Sequence, residues 1–134
     1  MLKITYTDTG LLLEQVAQTV EAMVAQRTLL ALRLGQPIAI QTTYASLPLP
    51  VDLIGMPYLL QLADKTEAIE VDRCDLNWLE VTLSGVWMAE SSTSDEGIFV
   101  TELEIALEKH LLSVWQQAQS RQRMGEPQGV PRTF

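Results

Sequence analysis

The chain has 134 residues, 47% of them apolar and 19% charged, and its 17 acidic against 9 basic side chains give a net charge of −8. This length fits one domain, and the acidic balance argues against nucleic acid and anionic membranes as partners, because both are bound chiefly through Lys and Arg. No apolar run approaches the roughly 20 residues that cross a bilayer, and a single cysteine leaves no internal disulfide, so we expect a cytoplasmic protein without membrane insertion.

The first elements are predicted as a strand, a turn and a long helix. Residues 2–7 alternate apolar with polar side chains, which predicts a strand with one buried face. Residues 8–10 are predicted to turn the chain and cap a helix over 11–34, where apolar side chains recur every three or four residues. Gly35 is expected to end this helix in the left-handed conformation.

The middle of the chain is predicted to hold two strands and a short helix. The β-branched, alternating residues 38–44 are typical of a strand. Two prolines in 45–50 remove hydrogen-bond donors, so this segment is predicted as an extended connection. Pro57 suits the first turn of a helix over 57–64, and the alternation of 67–72 predicts a further strand.

The longest strand signal in the chain covers 77–89, where alternate residues form an apolar face that is expected to be core. The polar residues 90–97 then return the chain. Residues 98–100 are therefore predicted to pair antiparallel with the end of the long strand.

The last helix is predicted over 102–122 from its apolar stripe and from Thr101 and Glu104, which have the spacing of a capping box. After it, 124–134 contains two prolines and two glycines and no period, which indicates a loose tail behind a single domain over 1–123.

These elements together predict an α+β fold. We expect an antiparallel sheet of four to five strands, with the two long helices, 11–34 and 102–122, packed mainly on one face.

One side of the long strand supplies a candidate interface. If both helices cover the opposite face, Trp78, Val86 and Met88 form an exposed apolar patch, and such patches usually mark interfaces. If helices cover both faces, these residues are core. The segment 64–108, with twelve acidic and two basic residues, adds an acidic surface that either steers a basic partner or only keeps the protein soluble.

The sequence contains no motif that carries chemistry. No glycine-rich phosphate loop is present, and the acidic run 72–80 lacks the glycine that an EF-hand calcium loop requires. We therefore predict no catalytic residue, no metal site and no cofactor. The single cysteine and single histidine, Cys74 and His110, are with Tyr58 the candidate lining of a small-molecule pocket; the alternative is that both are ordinary packed residues.

Several short segments resemble an uncharacterised group of small cyanobacterial proteins. They are 5–7, 24–27, 32–36, 83–89 and 96–101, and they span about the first 120 residues without implying an activity. The gross layout is also similar to that of type III secretion chaperones, which are small, acidic, commonly dimeric proteins with a helix, strands and a second helix. That likeness is one of layout and does not by itself assign a function.

We therefore expect a non-catalytic protein-interaction module, an adaptor or assembly chaperone. It would bind a protein partner or a second copy of itself, as a homodimer, through the apolar face around Trp78, Val86 and Met88, with the acids supplying orientation. The alternative is a small-molecule-binding protein or minor enzyme with its pocket near Tyr58, Cys74 and His110.

Overall fold

The computed structural model describes residues 1–125. It contains six strands and three helices in the following order: β1 Leu2–Thr7, β2 Gly10–Gln15, α1 Val20–Leu34, β3 Ala39–Pro50, α2 Met56–Ala63, β4 Ile69–Arg73, β5 Trp78–Ala89, β6 Gly97–Thr101 and α3 Ile105–Gly125. The last helix therefore runs three residues beyond its predicted end. The rest of the predicted tail, 126–134, lies outside the described residues.

All strands belong to one antiparallel sheet, so the predicted α+β class is confirmed. The order across the sheet is β2, β1, β6, β5, β3, and β4 pairs with β5 beside β6. β4 covers the first half of β5, from Leu79 to Leu83, and β6 covers Val86 to Met88. The sheet has six strands, not four to five, and the strand that the prediction lacked is β2.

The first helix begins nine residues later than predicted, because residues 10–15 pair with β1 along their whole length. Leu13 is buried in the core, while its neighbour Leu12 points to the other side and is 57% exposed. The three consecutive leucines of this segment fit either a helix or a strand, and pairing with β1 decides for the strand. Residues 8–9 consequently form a hairpin turn and cap no helix.

The start of α1 is held from two directions. The side chain of Thr19 accepts the N–H of Ala22, which is an ordinary N-cap. Glu102, the residue after β6, accepts the N–H of Val20 at 2.7 Å through its side chain. At the other end Gly35 adopts the left-handed conformation, φ 64°, and ends the helix as predicted.

β3 continues through the prolines that were predicted to interrupt it. It is an edge strand, and Pro48 and Pro50 lie two residues apart, on the same side of the ladder. Val51, an odd-numbered residue directly after β3, donates its N–H to the carbonyl oxygen of Asn77 on the β5 side. The N–H groups of even-numbered residues therefore point to the other side of the strand. The N–H groups that the two prolines lack would therefore have pointed away from the sheet, and their absence costs β3 no hydrogen bond.

The helices lie on both faces of the sheet, so the prediction that they pack mainly on one face is wrong. α2 and α3 cover the main core, which includes Leu47, Val81 and Phe99. α1 covers a smaller cluster on the opposite face, where Met23 packs with Met88 and with neighbouring side chains of β6. The ends of β5 and β6 are apolar on both sides, and such strands require cover on both sides.

The predicted capping box at the start of α3 is replaced by other contacts. Thr101 ends β6, and its hydroxyl donates to the carbonyl of Ser84 at 2.7 Å. The carboxylate of Glu108, one turn into α3, accepts the N–H of Leu103 at 2.8 Å. Among the described residues, no helix is both long and apolar enough to span a membrane.

Candidate functional site

The three residues of the predicted interface lie in different environments. Trp78, at the start of β5, is 40% exposed. Val86 is half-buried and Met88 is 3% exposed, because both pack in the cluster beneath α1. The expectation of one exposed patch formed by all three is therefore wrong, and only Trp78 reaches the surface as predicted.

Beyond α1 the same side of the sheet has no helix above it. We call this area the bare face. It consists of side chains from β3, β4 and the first half of β5, all exposed or half-buried: Ile40, Thr42, Tyr44, Ser46 and Pro48 on β3, Glu70 and Asp72 on β4, and Trp78, Glu80, Thr82 and Ser84 on β5. Tyr44 is its most exposed aromatic side chain, at 72%.

Three carboxylates lie on the bare face, at levels of the sheet between those of Trp78 and Tyr44. Asp72 on β4 stands directly opposite Glu80 on β5, and Glu70 precedes Asp72 on the same side. Like charges that face each other across a ladder destabilise it. None of the three forms an ion pair with any residue in the described part of the chain. A cation placed between these carboxylates would remove the repulsion.

Trp78 is held by the turn that precedes it. One oxygen of Asp75 accepts the N–H of Asn77 at 2.7 Å and that of Trp78 at 3.0 Å. The N–H of Cys74 donates to the carbonyl of Trp78 on the other side of the turn. Trp78 therefore projects from a fixed backbone, as an anchor residue requires.

The predicted pocket residues are brought together only in part. The rings of Tyr58 and His110 meet edge to face, with their centroids 4.8 Å apart. Nε2 of His110 lies 2.7 Å from the carbonyl oxygen of Gly55, which can only accept, so this nitrogen carries the proton. Cys74 is exposed in the turn after β4, and within residues 1–121 it forms no hydrogen bond to His110.

His110 thus ties the start of α2 to α3. A Cβ atom on Gly55 would stand 2.9 Å from Val114 and 3.2 Å from the imidazole, so the two helices approach closely at this glycine. The histidine has a structural contact here, which agrees with the alternative that it is an ordinary packed residue.

Surface grooves lie elsewhere. One, of about 360 Å³, lies between α1 and the ends of β5 and β6 and is lined in part by Arg27 and Glu96. Another, of about 660 Å³, lies beside α3, where Arg121 binds Asp52 through two hydrogen bonds of 2.6 and 2.9 Å. These bonds hold the pKa of Asp52 below its usual value. Neither groove is lined by Tyr58, Cys74 or His110, and no group of three metal-ligating side chains occurs among the described residues.

Two exposed features were not predicted. Tyr44 was assigned to a strand but not to a surface, although its alternation with Ala45 and Leu47 would have placed it outward once β3 was recognised as continuous. α1 also exposes all four of its leucines, because its buried side is formed mainly by Met23 and Ala31. Within α1 the predicted stripe is confirmed at Met23 and Ala31, which are buried, and the error lay in extending the helix back to residue 11.

Comparison with known proteins identifies a family. A model of the family described as Alr0857-like matches residues 1–119. Nothing among the curated proteins or the solved structures matches the chain.

Proposed function

The chain belongs to the Alr0857-like family, and we propose that it is a non-catalytic protein-interaction module, an adaptor or assembly chaperone. The observation that carries this proposal is the bare face, on which exposed Tyr44 and Trp78 stand among Glu70, Asp72 and Glu80. Aromatic side chains are enriched in protein interfaces, and the carboxylates on the same face supply charges that complement a basic partner.

The occupant that this surface fits is a Lys- and Arg-rich segment of another protein. Residues 64–108, which include two of the three strands of the bare face, carry twelve acidic and two basic side chains. A second copy placed on the same face would bring acids against acids, and like-charge contacts oppose association. A basic segment would instead pair with the carboxylates and release the repulsion between Asp72 and Glu80.

The aromatic residues supply the short-range part of this recognition. A Lys or Arg side chain over the ring of Trp78 or Tyr44 gains about 0.5–1 kcal/mol at such exposed sites. The carboxylates act over a longer range and raise the rate of association. The affinity for a basic segment therefore depends on the carboxylates and on the aromatic rings. The preference for Lys and Arg side chains over a simple metal cation depends on the rings.

The experiment is a titration of the whole chain with a fluorescein-labelled peptide in which Arg and Lys alternate with Ser. We expect binding, and we expect the double variant Trp78→Ala with Tyr44→Ala to weaken it by about tenfold, which is about 1.4 kcal/mol. Asp72→Asn with Glu80→Gln should have an effect of similar size. Met88→Ala is unsuitable as a probe of this surface because Met88 is buried.

The matched control is Glu90→Gln with Asp95→Asn, which removes two exposed acids from the β5–β6 loop. It should change the affinity by less than about twofold if the bare face binds the peptide. Equal weakening by both charge variants would show nonspecific attraction to an acidic protein. Either that result or the absence of binding contradicts the proposal.

The proposal extends to the cellular compartment and to the likeness with other protein groups. An exposed thiol at Cys74 suits the reducing cytoplasm, where we place the protein. The layout shared with type III secretion chaperones agrees with a partner-binding role, although this chain opens with a hairpin before its first helix. The likeness to small cyanobacterial proteins suggests the setting in which a partner is to be sought.

A further inference from the structure

The outer side of α1 carries an apolar stripe that nothing in the described chain covers. Ala22, Ala25, Leu29 and Leu32 are all exposed, and Leu29 and Leu32 have 49% and 77% of their surface open to solvent. Their separations of three, four and three residues place them on one line along the helix, which is the spacing of a two-helix seam. This stripe points away from the sheet, on the opposite side of α1 from Met23.

We infer that this stripe binds a second copy of the chain, with the two α1 helices packed antiparallel across a two-fold axis. A two-fold axis between residues 25 and 29 sets Ala22 against Leu32 of the partner subunit. It likewise sets Ala25 against Leu29 of the partner subunit. Every layer of the seam then joins a small side chain to a large one, and the helices can stay evenly spaced.

A parallel pair would not pack as well. It would place alanine on alanine in two layers and leucine on leucine in the other two, so that the helices would have to diverge along their length. The antiparallel pair instead opposes the two helix dipoles, which favours it.

Charge explains why the occupant is a second copy and not the basic segment proposed for the bare face. α1 contains one acid, Glu21, and two bases, Arg27 and Arg33. Self-association through α1 therefore avoids the repulsion that the acidic bare face would cause. With four short or medium side chains per subunit the interface is small, so we expect a dissociation constant in the micromolar range.

Sedimentation equilibrium of the full chain over micromolar to submillimolar concentration tests the dimer. We expect a monomer–dimer equilibrium, and Leu29→Glu with Leu32→Glu should weaken it by more than about tenfold. The matched control is Leu12→Glu with Leu76→Glu, since both of these leucines are also exposed, at 57% and 81%. A chain that stays monomeric throughout, or a dimer that the α1 variant leaves unchanged, overturns the inference.

Cysteine pairing tests the antiparallel register separately, in a Cys74→Ser background. A mixture of the Ala22→Cys and Leu32→Cys chains should form a mixed disulfide on oxidation. Each chain alone should not, because like positions would be ten residues, or about 15 Å, apart along the seam and a disulfide needs Cα atoms within about 7 Å. A disulfide in the Ala22→Cys chain alone would contradict the antiparallel register. Neither experiment involves the bare face, so a negative result would contradict the dimer without contradicting the proposed function.

Discussion

At the scale of single residues, Glu108 is the most constrained charge among the described side chains. It is 2% exposed, and one of its oxygens accepts from Gln15 at 3.0 Å and lies 3.6 Å from the ammonium group of Met1. Its other oxygen accepts the N–H of Leu103. One carboxylate thus links β2, the start of β1 and the entry to α3.

We expect Glu108→Ala to lower the free energy of unfolding by about 2–4 kcal/mol, because it leaves several buried donors without an acceptor. Urea denaturation followed by circular dichroism measures this. Glu104→Ala, one turn earlier and exposed, is the control and should stay within about 0.5 kcal/mol of the parent. A cost for Glu108→Ala no larger than that of the control would show that water or rearrangement satisfies those donors.

Residue identity alone predicted some of these positions and missed others. Gly35 as a helix end and Pro57 in a first turn follow from local backbone preferences, and both are confirmed. The role of Thr101 was missed because its partner, the carbonyl of Ser84, lies 17 residues away in another strand. The spacing of Thr101 and Glu104 fits a capping box, but a tertiary contact replaced that local one.

At the scale of elements, β5 changes its neighbour halfway along its length. β4 ends its pairing opposite Leu83 and β6 begins opposite Val86. Gly85 stands at the changeover, where a Cβ atom would lie 2.3 Å from the carbonyl oxygen of Val100 and 2.7 Å from the ring of Phe99. The hydroxyl of Thr101 meets the adjacent carbonyl of Ser84 at the same place.

We expect Gly85→Ala to destabilise the protein by about 1–3 kcal/mol, because a backbone oxygen cannot move away from the added methyl group without breaking the β5–β6 ladder. Thermal unfolding followed by circular dichroism gives the comparison. Ser84→Ala, at the neighbouring exposed position, is the control and should be nearly neutral. An unchanged melting temperature in Gly85→Ala would mean that β6 shifts freely at this point.

The type of an element was predicted well where the apolar residues followed only the helical or only the strand period. β5, β6 and α2 lie within one or two residues of their predicted bounds. Residues 11–15 were assigned to a helix because a run of leucines satisfies both the helical and the strand period, and only their pairing with β1 resolves the ambiguity. The prolines of β3 were read as a break because the sequence does not reveal that this strand lies at an edge.

At the scale of the whole molecule, the bare face and the outer stripe of α1 are two proposed contact surfaces of opposite character. The bare face is acidic with isolated aromatic residues, and the outer stripe of α1 is apolar with little net charge. Which face of the sheet α1 covers could not be predicted, because helical periodicity identifies the buried side of a helix and not the face of the sheet on which that helix packs. The expectation that Trp78, Val86 and Met88 form one exposed patch is wrong for the same reason, since α1 buries Met88.

We expect ionic strength to distinguish the two contacts. Raising sodium chloride from about 0.05 to 0.5 M should weaken binding of the basic peptide by about tenfold or more, because exposed charges are screened over a few ångströms at high salt. Dimerisation through α1 should change by less than about threefold, since apolar contact is not screened. Fluorescence anisotropy and sedimentation, both at the two salt concentrations, measure the pair. Equal salt dependence would contradict the assignment of different forces to the two surfaces.

The outer edge of β3 carries backbone N–H groups with which a further strand could pair. Donors that face outward are present at Ile40, Thr42, Tyr44 and Ser46 and are missing at Pro48 and Pro50. An incoming chain could extend the ladder only along the first eight residues of that strand, beside the end of α1, and would find no hydrogen-bond donors on the two prolines. Edge-to-edge aggregation of copies is therefore hindered at the proline end of β3. The other end of the strand can still pair with a short strand of another chain.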